Sequence, residues 1–124
     1  MRRYECRRTM KTTALDFDAV LNTYKGWEGP DVEYPPREGV DAFLAELGRH
    51  RRIVIYSCRP IRKVRAWLRK HKLSEYIDRV ETRKPLASEY VDDRAIRFTG
   101  NYTECLHDII NFAPYWDPEK RNAT

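Results

Sequence analysis

Asp16 and Asp18 lie two residues apart at the end of a short apolar approach, in the stretch Ala14-Leu15-Asp16-Phe17-Asp18-Ala19-Val20-Leu21-Asn22. In an extended strand, alternate residues point the same way, so both carboxylates face one spot where the strand ends. Converging carboxylates repel each other, and a hard divalent cation such as Mg2+ neutralises them. The spacing is not that of a calcium-binding EF-hand loop, because the sixth position from Asp16 is Leu21 and not glycine. Three more stretches end in polar side chains of complementary type: Ser57 after Ile53-Val54-Ile55-Tyr56, Lys84 before Pro85, and the pair Asp92-Asp93 after Tyr90-Val91.

These side chains meet only if the intervening chain forms the right elements. Residues 12–17 are predicted as a first strand. The segment from Asn22 to Pro36, with Gly26, Gly29, Pro30, Pro35 and Pro36, is expected to be a loop or short flap. Val40, Phe43, Leu44 and Leu47 recur at helical spacing and Gly48 is a plausible stop. The near-continuous apolar run 53–56 reads as a strand buried on both faces. Pro60 opens a helix with Ile61, Val64, Trp67 and Leu68 on its inner face. A helical turn is expected over 73–77, and short strands over 80–82, 90–91 and 95–98. Asn101 with Glu104 has the pattern of a capping box ahead of Leu106, Ile109 and Ile110. Strands alternating with helices imply an α/β fold: a three-layer, Rossmann-like parallel sheet with helices on both faces. Such sheets bind ligands at the carboxyl ends of their strands, where all four polar stretches fall. The organisation expected is a flexible basic arm over 1–11, one domain over 12–112 and an irregular tail over 113–124.

The chain has 124 residues and a net charge of +5, a size suited to one core. The positive charge is concentrated in two places. Arg2, Arg3, Arg7, Arg8 and Lys11 are opposed by Glu5 alone, and Arg59, Arg62, Lys63, Arg65, Arg69, Lys70 and Lys72 form a second block without an acid. No apolar run reaches bilayer length and no signal-peptide pattern is visible. Cys6, Cys58 and Cys105 leave one thiol over in any pairing and show no metal-binding spacing, so free thiols in a reducing cytoplasm are expected.

Taken in order, the motifs resemble those of the haloacid dehalogenase-like (HAD) phosphohydrolase superfamily, over roughly residues 12–112. Asp16-Phe-Asp18-Ala-Val-Leu is similar to its first motif, Ile55-Tyr-Ser57 to its second, Lys84-Pro85 to its third and Tyr90-Val-Asp92-Asp93 to its acidic fourth. The nearest likeness is to small bacterial and phage members without a cap. The resemblance implies a Mg2+-dependent phosphomonoester hydrolase. Asp16 would attack phosphorus and form an aspartyl-phosphate. Asp18 would protonate the leaving oxygen and then help deprotonate water. Ser57 would hydrogen-bond a phosphoryl oxygen, and Lys84 would offset the charge of Asp16 and the phosphoryl group. Asp92, with Asp93, would hold Mg2+ together with Asp16 and the backbone carbonyl of Asp18. Where this superfamily usually has glycine after the second Asp, this chain has Ala19, and a positive φ there would strain the loop. The chain allows only a flap after the first strand and one helix with a turn before Lys84, so no substantial cap is expected. Open sites of this kind suit bulky substrates, including phosphorylated nucleic-acid or nucleotide ends.

Plainer roles stand beside these. Ser57 also suits capping of the helix that Pro60 opens. Asp93 is as well placed to pair with Arg94 or Arg97 as to bind metal. Arg59 is a candidate phosphate contact, although a surface role is the commoner fate of such a residue. Cys58 reads as a small buried hydrophobe, and Phe43 and Trp67 as core. His50, His71 and His107 lack ligand spacing. Tyr24 and Trp27 are placed to cover a site. The basic helix over 60–72 reads as a solvated face or as an attractor for a polyanion. The rival function is therefore a nucleic-acid-binding module with weak or no turnover. Phosphotransfer to an acceptor other than water is a third possibility.

Overall fold

The computed structural model describes residues 10–117. Apart from Met10 and Lys11, the basic arm lies outside the described residues, as do residues 118–124 of the tail. The chain forms two compact units, divided after Val91.

The first unit is built on parallel strands. They are β1 (Thr12–Asp16), β2 (Arg52–Tyr56), β3 (Arg79–Glu81) and β4 (Glu89–Val91), in the order β3-β2-β1-β4. Helix α1 (Val40–Leu47) joins β1 to β2, and α2 (Ile61–Lys70) with a 3-10 turn (Ser74–Tyr76) joins β2 to β3. The register places Leu15, Ile55 and Val80 in one row across three strands. That row, with Ile53, packs against Val40 and Leu44 of α1 and Val64, Trp67 and Leu68 of α2 in one core. Burying each such side chain contributes about 1.5–3 kcal/mol. Ala14 and Val54, which alternate with that row, are fully buried as well.

The path of the chain determines where a ligand can enter. From β1 the sheet grows to one side through β2 and β3, and β4 then joins the other edge of β1. Topology therefore reverses at β1, and ligand crevices in open α/β sheets lie at such points beyond the carboxyl ends of the strands. Asp16 is the last residue of β1. The β3–β4 connection has no helix, only residues 82–88. Parallel connections usually need a dozen residues or more, but strands of three residues shorten the return. The Tyr90 hydroxyl braces this loop by donating to the Pro85 carbonyl at 2.6 Å and accepting from the Ala87 N–H at 3.2 Å.

The second unit contains α3 (Tyr102–Ile110). Its start follows the capping pattern in part: Asn101 Oδ1 accepts from the Glu104 N–H at 3.0 Å, whereas the Glu104 carboxylate accepts from the Thr99 hydroxyl at 3.2 Å. Several expectations are corrected. Residues 95–98 are irregular rather than a fifth strand. Phe43, expected in the core, is exposed, because it sits about 100° round the helix from Leu44, at the margin of the buried stripe. Leu106, Ile109 and Ile110 of α3, whose burial was not foretold, are exposed as well. Among the described residues, no helix is long and apolar enough to cross a membrane.

Candidate active site at the end of the first strand

The turn after β1 is organised by a buried asparagine. Asn22 Oδ1 accepts from the N–H groups of Ala19 at 2.9 Å and Tyr24 at 3.0 Å, and its Nδ2 donates to Asp18 Oδ1 at 3.0 Å. Asn22 also bridges Pro36 in antiparallel fashion. The Thr23 N–H donates to the Pro35 carbonyl and the Arg37 N–H to the Leu21 carbonyl, which closes the base of the flap. Within this turn Ala19 has φ 70°, the left-handed conformation that costs an L-residue about 1–2 kcal/mol. The glycine usual at this place in the resembling superfamily would adopt it without strain.

Asp18 is fully engaged. Its Oδ2 accepts from Arg59 Nε at 2.8 Å, in an ion pair with little solvent exposure on either side. The same guanidinium reaches the flap: Nη1 donates to the carbonyls of Pro30 and Val32, both at 3.3 Å, and Trp27 lies against it at 5.7 Å. Arg59 thus ties the first acidic motif, the second motif and the flap to one another. Its own N–H donates to Ser57 Oγ at 3.1 Å. Ser57 is buried and directly follows β2. Its hydroxyl shapes the turn before α2, but it is Pro60 that stands at the N-cap position of that helix. Cys58, expected to be buried, is exposed.

The flap is fastened along α2. Trp67 Nε1 donates to the Tyr34 carbonyl at 2.9 Å, Lys63 pairs with Asp31 at 2.7 Å, and Lys70 pairs with Glu33 at 3.2 Å. Lys63 holds the Asp31 carboxyl below its usual range by hydrogen bonding and charge. The Tyr34 hydroxyl donates to Glu28 Oε1 at 2.8 Å, and its ring packs edge-on against Tyr24 at 5.5 Å. Burial, and then Glu28, push the Tyr34 phenol up to about 12. A cavity of about 120 Å³ lies beneath the flap, lined among others by Phe17, Asn22, Val32, Arg59 and Trp67.

The remaining sequence candidates fall in different surroundings. Asp16 accepts from the Phe17 N–H through Oδ1 at 2.9 Å. Lys84 is exposed, and its ammonium sits 4.3 Å from the centre of the Tyr90 ring rather than on a carboxylate. In the second unit, Asp92 Oδ1 accepts from the Arg94 N–H at 2.8 Å. Asp93 Oδ2 accepts from Trp116 Nε1 at 2.6 Å and lies 3.9 Å from Arg94. The geometry brings Asp18, Ser57 and Arg59 together and gives Lys84 a different neighbour.

Sequence reasoning missed Asn22, whose signal was an amide side chain in a turn with a neighbouring carboxylate. It also did not foresee the Asp18–Arg59 pair, which joins residues 41 apart. No protein-family model matches this chain, and no curated protein or solved structure matches it either.

Proposed function

We propose that this chain is a Mg2+-dependent phosphomonoester hydrolase of HAD-like type, acting through an aspartyl-phosphate on Asp16. The observation that carries the reading is the position of Asp16 at the carboxyl end of the strand where sheet topology reverses, with Asp18, Ser57 and Arg59 grouped in the turns beside it. The fold we adopt is the three-layer Rossmann-like one without a substantial cap. In support, the chain after β1 forms a flap, and the chain between β2 and β3 forms one helix and a turn.

The donor set suits a hard cation. By the resemblance, Asp16 and Asp92, with the Asp18 carbonyl, would hold Mg2+, which would supply positive charge for the phosphoryl oxygens. Asp18 is less suited as a side-chain ligand, since it has donors on both oxygens.

The chemistry of the chain itself follows. One Asp16 oxygen attacks phosphorus, and the bond from phosphorus to the ester oxygen breaks. The leaving oxygen takes its proton from Asp18, which then accepts a proton from the water that hydrolyses the acyl-phosphate. Asp18 performs this after Arg59 exchanges its carboxylate for a phosphoryl oxygen, a fork-shaped donor being well matched to either. Ser57 donates to a second phosphoryl oxygen. Lys84 leaves the Tyr90 ring to offset the charge of the phosphorylated Asp16. A reducing, cytoplasmic setting suits Cys58 and Cys105, both free thiols.

The rival reading, a binding module without turnover, draws on the strained Ala19 and the occupied Asp18. A screen of phosphomonoesters and end-phosphorylated oligonucleotides, with Mg2+ and with EDTA, separates the two. Mg2+-dependent release of phosphate supports the hydrolase. Its absence across the screen, or turnover undiminished in EDTA, removes it.

A further inference from the structure

The basic block over 59–72 resolves into faces with different duties. Val64, Trp67 and Leu68 are buried in the core. Lys63 and Lys70, seven residues apart, are consumed by Asp31 and Glu33 of the flap, and Arg59 is consumed by Asp18. Lys72 lies past the end of the helix; on the helix itself, Arg62, Arg65 and Arg69 remain. They follow one another at i, i+3 and i+7, hence on one stripe of the helix. All three are exposed, and none pairs with an acid among the described residues. The helical rise separates them by about 4.5 Å and about 6 Å along the axis, on the scale of successive phosphodiesters.

Arg65 and Arg69 also border a cleft of about 250 Å³ whose floor is Leu68, Ile77 and Val80, with Ser74 and Arg79 on its rim. The single acid there, Asp78, is already shared by Arg52 at 2.9 Å and Arg79 at 3.5 Å. Arg79 is further held by Glu81 at 2.7 Å. The cleft therefore offers two uncommitted guanidiniums above an apolar floor.

We infer that the Arg62–Arg65–Arg69 stripe and this cleft bind the backbone of a single-stranded nucleic acid, with one unstacked base seated on the apolar floor. Guanidiniums on a rigid helix suit phosphodiester oxygens, and a pocket of this size takes one base and not a stacked pair. An anionic membrane fits less well, because Val64, Trp67 and Leu68 are buried in the core and the apolar side chain exposed among the arginines is the small Ala66. Since α2 begins four residues after Ser57, a strand lying along it would extend to the candidate active site. The inference rests on the hydrolase reading only for the strand end, which would carry the phosphate to be removed.

The test is fluorescence anisotropy of a labelled, 5′-phosphorylated single-stranded oligonucleotide across a salt titration, in EDTA so that no turnover is needed. The full chain is compared with Arg65→Gln/Arg69→Gln, and with Arg49→Gln/Arg97→Gln as a control of equal charge loss. The expected result is at least a tenfold loss of affinity for the first variant at low salt, with the slope of log K against log salt shallower by about 1.4, and less than a twofold loss for the control. Equal weakening in both variants, no weakening in the first, or wild-type binding to anionic vesicles or an acidic peptide but not to the oligonucleotide would overturn it. Oligonucleotide binding through these arginines in a protein that hydrolyses no phosphomonoester would remove the hydrolase reading and leave this one standing.

Discussion

Arg59 and Asp18, 41 residues apart in the chain, form one ion pair whose Nε–Oδ2 distance is 2.8 Å, and the same guanidinium holds two flap carbonyls. On the proposed reading, the carboxylate that transfers the proton is stored on an arginine for which a phosphoryl group would compete. Arg59→Ala is expected to lower stability by about 2 kcal/mol, the scale of hydrogen bonds to charged groups, and to lower kcat/KM on a phosphomonoester ten- to a hundredfold. Urea unfolding and steady-state kinetics on the same preparation check both. Arg59→Lys keeps the charge without the fork, and is expected to recover stability in part and activity little.

Ala19 sits at φ 70° in a buried turn. Ala19→Gly is expected to stabilise the protein by roughly 0.5–1 kcal/mol, relief of left-handed strain outweighing the added freedom of the unfolded chain. Ala19→Val is expected to destabilise it. The two variants moving in opposite directions in urea midpoint, with unchanged m-value, is the signature to look for.

Asn22 satisfies two backbone N–H groups and orients Asp18. Asn22→Ala is expected to cost about 2–4 kcal/mol, since it strands buried donors. Asn22→Asp keeps an acceptor for those donors but sets a second carboxylate against Asp18. It is expected to lose activity more than stability, as measured by kcat against thermal midpoint.

The Tyr34 phenol, pushed up to about 12 by burial and by Glu28, fixes the sign of one pH effect. An unfolded tyrosine ionises near 10, so above that value the unfolded state releases its proton first. The stability that Tyr34 contributes is therefore complete below about pH 10 and declines as pH rises toward 12. Unfolding midpoints over this range should fall more steeply for the wild type than for Tyr34→Phe.

How far these relationships were legible in the sequence depended on the range over which they act. The strands expected over 12–17 and 53–56, found over 12–16 and 52–56, and the stripe Val64-Trp67-Leu68 were readable because runs of buried strand residues, or one buried helical face, write themselves into local sequence pattern. The Asn101 cap was readable because its partner is three residues away. Residues 95–98 imitate a strand in composition but lie in irregular chain. Phe43 shows that a residue beside an apolar stripe need not belong to it. The site was legible in residue type, with Asp16, Asp18 and Ser57 at strand ends. The partners were not: Lys63 with Asp31, Lys70 with Glu33, and Arg59 with Asp18 are pairings across tens of residues, and charge order alone does not state which cation meets which acid. That is why a helix whose basic residues were read as a solvated face or a polyanion attractor proves to hold its own flap with part of its charge.

The central claim, that Asp16 is the nucleophile, is tested most directly by rapid quenching during turnover of a phosphomonoester with Mg2+, followed by mass analysis of the peptide bearing residues 12–25. The account predicts that the wild-type peptide gains the mass of one phosphoryl group on Asp16, and that Asp16→Asn shows neither the adduct nor phosphate release. Phosphate release by Asp16→Asn at the wild-type rate, or an adduct on another residue, would contradict it.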